Sequence, residues 1–232
     1  RPLDLPRANF PIVIAIVIAA AIVGIWGGYT LYDNIANSQA RSEAEVSAVV
    51  NRGVTMNTPV LSTYVGLDDA TILANMTAAG LTYFDMNSIN TSSTSSLDIF
   101  KLPSDVTVAD AAVTYAKGIS SLKANEAAKY LSGSYRLTIS RSEYFDMKMK
   151  YADFSSGSTE TALANALTAQ GFASTTLVSS GTDTSGNLYQ TGTMDIGGAT
   201  YGWSVSVCPL SYVYSIDGLP SNAQYVGVRI YQ

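Results

Sequence analysis

Histidine is absent from this chain of 232 residues. That removes the side chain most often used as a general base near neutral pH and the commonest zinc ligand. Every Ser-His and Cys-His nucleophile arrangement goes with it. Cysteine occurs once, at Cys208, so no disulfide can close within the chain. A lone cysteine in a strand-forming stretch reads as a small apolar side chain. Charge is scarce too: 13% of residues, with a net of −5 and a pI of about 4.6. There is no basic run, hence no footprint for nucleic acid. Neither GxGxxG nor GxxxxGK[ST] occurs, and DTSGN at 183–187 lacks the later glutamate of an EF-hand, so it reads as a hairpin turn. No cofactor and no metal site are expected.

What the chain has is one long apolar run. Residues 10–32, FPIVIAIVIAAAIVGIWGGYTLY, pass 23 positions without a charge. At about 1.5 Å per residue a helix of that length crosses the roughly 30 Å of a bilayer's hydrocarbon. Pro11 suits a first helical turn. Trp26, Tyr29 and Tyr32 gather at the far end, where an aromatic belt meets headgroups. Ser38-Gln39-Ala40 resembles a leader-cleavage site, but the run is long for a signal peptide and ends well before it. Arg1 and Arg7 precede the run and Asp33 follows it. The charge rule therefore puts a short N-terminus, 1–9, in the cytoplasm and the rest outside, as a single-pass membrane protein. Ala20, Gly24 and Gly28 recur every four residues, a stripe that lets two membrane helices approach closely.

Beyond Tyr32 the helical pattern continues through 33–53, with apolar positions at Ile35, Val46, Val49 and Val50 and a stop at Gly53. This predicts a stalk. Residues 54–232 then read as an extracytoplasmic α+β domain of mixed helices and antiparallel sheet, ending in a β-meander. Asp68 caps a helix over 69–79. Thr107 and Asp110 form a capping box for 108–117. Further helices are expected over 121–131 and 159–170. A hairpin pairs 136–140 with 144–151, and strands follow near 173–180, 187–196, 200–208, 211–216 and 224–231. Two short self-similarities stand out: MTAAGL (76–81) against LTAQGF (167–172), and YFDM at 83–86 and 144–147.

Candidate chemistry is thin. Asp68 and Asp69 are accounted for by the helix they start. Asp85 and Asp146, one in each YFDM, would form an acid pair for glycoside hydrolysis if their strands were neighbours. Asn90-Thr91-Ser92 is the plausible N-glycosylation acceptor; Asn75-Met76-Thr77 lies on a helix. Of fifteen tyrosines, many crowd the C-terminal strands. Tyr189, Tyr201, Trp203, Tyr212 and Tyr214, with Tyr225 and Tyr231, suit either a protein interface or a sugar platform.

An apolar N-terminal helix, an amphipathic stalk and an α+β head together resemble the layout of pilin-like subunits. The likeness covers layout alone: RPLDLPRAN precedes the apolar run and no glutamate interrupts it, so no residue role carries over. The leading expectation is a non-enzymatic, membrane-anchored subunit of a surface assembly or membrane complex, a homo- or hetero-oligomer acting through protein–protein contacts. The alternatives are an anchored glycan- or peptide-binding module and a carboxylate-based cell-envelope hydrolase.

Overall fold

A computed structural model describes residues 35–90 and 95–232. The apolar run over 10–32 and its stripe of Ala20, Gly24 and Gly28 lie outside the described residues. Among the described residues, no helix is long and apolar enough to cross a membrane. The chain divides into two compact units, 1–44 and 45–232. Of the first, 35–44 is described and is helical; the helix, α1, runs on to residue 50. Gly53 stands at φ +83° just beyond it, the conformation that ends the pattern.

The second unit is an α+β fold around one eight-stranded antiparallel sheet. In chain order it carries α2 (Asp69–Ala78), β1 (Tyr83–Asp85), β2 (Leu97–Lys101), α3 (Val108–Lys117), α4 (Ala124–Leu131), β3 (Tyr135–Ser140), β4 (Asp146–Asp153), α5 (Thr159–Gln170), β5 (Thr176–Thr182), β6 (Leu188–Ile196), β7 (Ala199–Pro209) and β8 (Gln224–Tyr231). The strand order is β1-β2-β3-β4-β8-β7-β6-β5. Two four-stranded meanders therefore lie side by side, joined at the centre by antiparallel β4 and β8. Each meander follows a helix, α2 for the first and α5 for the second. MTAAGL and LTAQGF both fall at the end of that leading helix, at equivalent places. The two YFDM copies do not correspond: one is β1, an edge, and the other enters β4, at the centre.

Local chemistry explains the helix starts. The Asp68 carboxylate accepts from the Thr71 N–H at 2.7 Å, Thr107 Oγ1 from the Asp110 N–H at 3.1 Å and Ser158 Oγ from the Thr161 N–H at 3.2 Å. Each cap of this kind contributes about 1 kcal/mol. α5 ends on Gly171 in the left-handed conformation, φ +73°.

Alternation along the strands then sorts side chains to two faces. Leu137, Ile139, Met147, Met149, Val205, Val207, Val226, Val228 and Ile230 point one way and are buried under α2 and α5, which contribute Ile72, Met76, Ala162, Leu163, Ala166 and Leu167. On the opposite face Phe84, Phe100 and Ala152 pack with Tyr115 of α3 and Ala127 and Leu131 of α4. Val46 of α1 is buried with Ala124 and Ala128 of α4, while Val49 and Val50 pack beside them.

Two expectations need correction, and one strand was not foreseen. Residues 211–216 are not a strand: a single 3-10 turn, Leu210–Tyr212, opens a loop that returns to β8. α4 starts at Ala124, behind a separate 3-10 turn over Ile119–Ser121. Strand β2 had no counterpart in the sequence reading. All five of its residues are buried, Asp98 and Lys101 included, so no alternation betrays it.

Candidate functional site

The aromatic residues of the C-terminal half do not share a surface. Trp203 is 1% exposed and stacks on Phe172 with ring centroids 4.7 Å apart and planes 14° apart. It is a core residue and offers no face to a partner. Tyr201 packs at the rim of the same core, edge-on to Phe145. Tyr189 points to the other face, its hydroxyl 3.2 Å from Ser179 Oγ across the β5–β6 pair. Tyr212 is exposed on its 3-10 turn. Tyr214 follows it, half-buried and edge-on to Tyr225 at 6.0 Å.

The acidic pair is separated. Asp85 is on β1 and Asp146 on β4, three strands away, or about 14 Å at the usual strand spacing. Asp85 accepts from the Asn87 N–H, which starts a 3-10 turn. Asp146 is held by Arg229 at 2.7 Å and Lys148 at 2.9 Å. Burial works against its ionisation, but the Arg229 and Lys148 hydrogen bonds outweigh it and bring its pKa below the usual carboxylate value. These two carboxylates cannot flank one glycosidic bond. Asp183 accepts from the Ser185 and Asn187 N–H groups, so DTSGN is the hairpin turn expected of it. The Asn90 N–H bonds the Met86 carbonyl at 2.9 Å; Thr91 and Ser92, which complete its acceptor pattern, lie outside the described residues. Among the described residues, no cluster of three or more acidic or thiol side chains is placed to hold a metal ion.

Two features were not read from the sequence. The first is a cavity of about 300 Å³ on the α3/α4 face of the sheet. Arg136 and Thr138 of β3, Lys148 and Lys150 of β4, and Tyr214 and Tyr225 contribute to its lining. Arg136 is fixed by a two-pronged bond to buried Asp98, Nε–Oδ1 2.8 Å and Nη2–Oδ2 2.7 Å. That carboxylate pushes the guanidinium pKa up. Burial raises the pKa of Tyr214 and of Tyr225, which stay as neutral phenols. The β3–β4 register sets the cations side by side and the β4–β8 pairing brings up Tyr225, which is why no motif announces them.

The second is strand β5. It ends the sheet, it carries no charged residue and no proline, and six of its seven residues are exposed. Leu177 and Val178 are 55% and 66% exposed, at a bulge in the β5–β6 pairing. The opposite edge, β1, is three residues long.

Comparison with protein-family models, with curated proteins and with solved structures returns no match for this chain.

Proposed function

We propose that this chain is a non-enzymatic, membrane-anchored extracytoplasmic subunit that acts through protein–protein contacts in a surface assembly or membrane complex. The run over 10–32 is its single span, with residues 1–9 in the cytoplasm. The observation that carries the reading is the β5 edge. Proteins shield long sheet edges with charges, prolines or brevity, because a bare edge templates further strands. β1 is short enough to be safe; β5 runs seven residues with no charge and no proline, and at its one irregularity, the bulge between Leu177 and Ser179, it presents two exposed aliphatic side chains. An edge left in that state suits a site that a partner strand completes.

The test is the native mass of the full chain after mild detergent extraction, for the wild type and two variants. Leu177→Lys with Val178→Lys charges the edge; Gly24→Leu with Gly28→Leu closes the small-residue stripe. The expected result is a fixed stoichiometric complex that the edge variant dissociates. A partner-free monomer, with both variants unchanged, overturns the reading.

A further inference from the structure

Arg136 and Lys150 are directly opposed on β3 and β4, where like charges repel. Lys148, one pleat along on the same face, adds a third cation, and Arg229 stands opposite it on β8. Against these four cations stand Asp98 and Asp146. The cluster is net positive in a chain whose total is −5. Asp98 occupies Nε and Nη2 of Arg136, and Lys148 is paired with Asp146. Lys150 has no ion pair among the described residues.

Asp98 neutralises Arg136, which leaves Lys150 as the cation without an ion pair, and it stands at a cavity whose walls are aromatic: Phe100, Tyr214 and Tyr225. Gly227 faces Lys150 from β8, so no side chain of that strand stands directly across from it. A volume of about 300 Å³ is at the small end of ligand pockets and accepts one or two rings.

We propose that this cavity binds an anionic sugar unit. Its acid group would sit between Arg136 and Lys150, and its ring against Tyr214 and Tyr225. Aromatic walls suit the C–H face of a sugar ring, and Thr138 and the phenols offer hydroxyl partners. A carboxylate and a phosphate are recognised by the same cations, so the shared chemistry is a ring bearing a negative group. The inference stands independently of the assembly reading.

Ligand-observed NMR titration of the full chain tests it, in a polyoxyethylene detergent that carries no sugar headgroup. The probes are glucuronate, glucose 6-phosphate and glucose. The expected result is saturable binding of at least one anion with a Kd of about 1 mM, weak or absent binding of glucose, and loss of about tenfold in affinity in Lys150→Gln. Lys150 is exposed, so that variant keeps the fold. Binding of glucuronate alone assigns the carboxylate, and binding of glucose 6-phosphate alone the phosphate. Three results overturn the proposal: no binding of either anion at about 10 mM, glucose binding as well as the anions, or an unchanged affinity in Lys150→Gln.

Discussion

Lys101 makes an unusual demand on this fold. It lies in β2, 2% exposed, with its ammonium donating to the Thr55 carbonyl at 2.8 Å and the Gly133 carbonyl at 2.9 Å. Among the described residues no carboxylate pairs with it. Desolvation pulls its pKa down to about 8. An unfolded lysine titrates near 10.4, so the charged form costs the folded state about 3 kcal/mol. Below pH 8 both states hold the proton and that cost is present in full. Between pH 8 and about 10.4 the unfolded chain keeps a proton that the folded chain has released, so stability rises with pH. Cys208 and the buried tyrosines work the other way. Burial raises the pKa of Cys208, Tyr115, Tyr135 and Tyr151, and stability from such groups is lost as pH climbs past their unfolded values. The lysine is isolated by comparing the wild type with Lys101→Met, which shares every other group. From pH 7 to 9.5 the wild type should gain about 2 kcal/mol on the variant. At pH 7 the two should be of similar stability, because Met removes the buried charge but leaves two carbonyls without a donor, at about 1–3 kcal/mol each. Urea unfolding followed by circular dichroism at several pH values measures the difference. Curves that run parallel to within about 0.5 kcal/mol over that range would refute a desolvated amine.

Four further changes probe the packing and the buried polar contacts. A Cβ at Gly192 would lie 2.2 Å from the Thr176 carbonyl oxygen and 2.3 Å from the Trp203 ring, so Gly192→Ala should cost at least about 2 kcal/mol in thermal or urea unfolding. Gly197→Ala, in open space at φ +60°, should cost only about 1 kcal/mol by the same assay. Gln170 accepts from the Leu61 N–H at 2.8 Å and donates to the Pro59 carbonyl at 2.9 Å; Gln170→Ala should cost about 2–4 kcal/mol and speed hydrogen exchange at the Leu61 amide. Asp98→Ala frees a half-exposed Arg136 that can still reach water, so the loss should be about 2–3 kcal/mol, below that of a fully buried pair, measured by urea unfolding.

Much of the architecture was readable because local rules governed it. Asp68, Thr107 and Ser158 start helices by capping, and Gly171 ends one, where those residue types say they should. β4 and β8 alternate because one face is buried under α2 and α5 while the other is only partly covered. The reading failed where tertiary context took over. LDIFK drew no strand assignment, because Asp98 and Lys101 break its apolar pattern; Arg136 and two backbone carbonyls compensate those charges inside the fold. Tyr212, Tyr214 and Ile216 alternate like a strand, but Tyr212 closes a 3-10 turn and the other two lie in the loop after it, where they pack on the α3/α4 side. The cavity was invisible for a different reason. Arg136 and Lys150 are fourteen positions apart, and only the hairpin register makes them neighbours.

The place of β8 has a consequence for how the chain must be made. The last strand in the sequence is a central strand of the sheet, paired along its length with β4 on one side and β7 on the other. Until 224–231 have been synthesised and delivered, the two meanders have no common seam, and β4 and β7 each present a bare inner edge. A nascent chain would therefore hold two half-sheets that must wait for residues 224–231, and loss of that strand would split the domain rather than fray it.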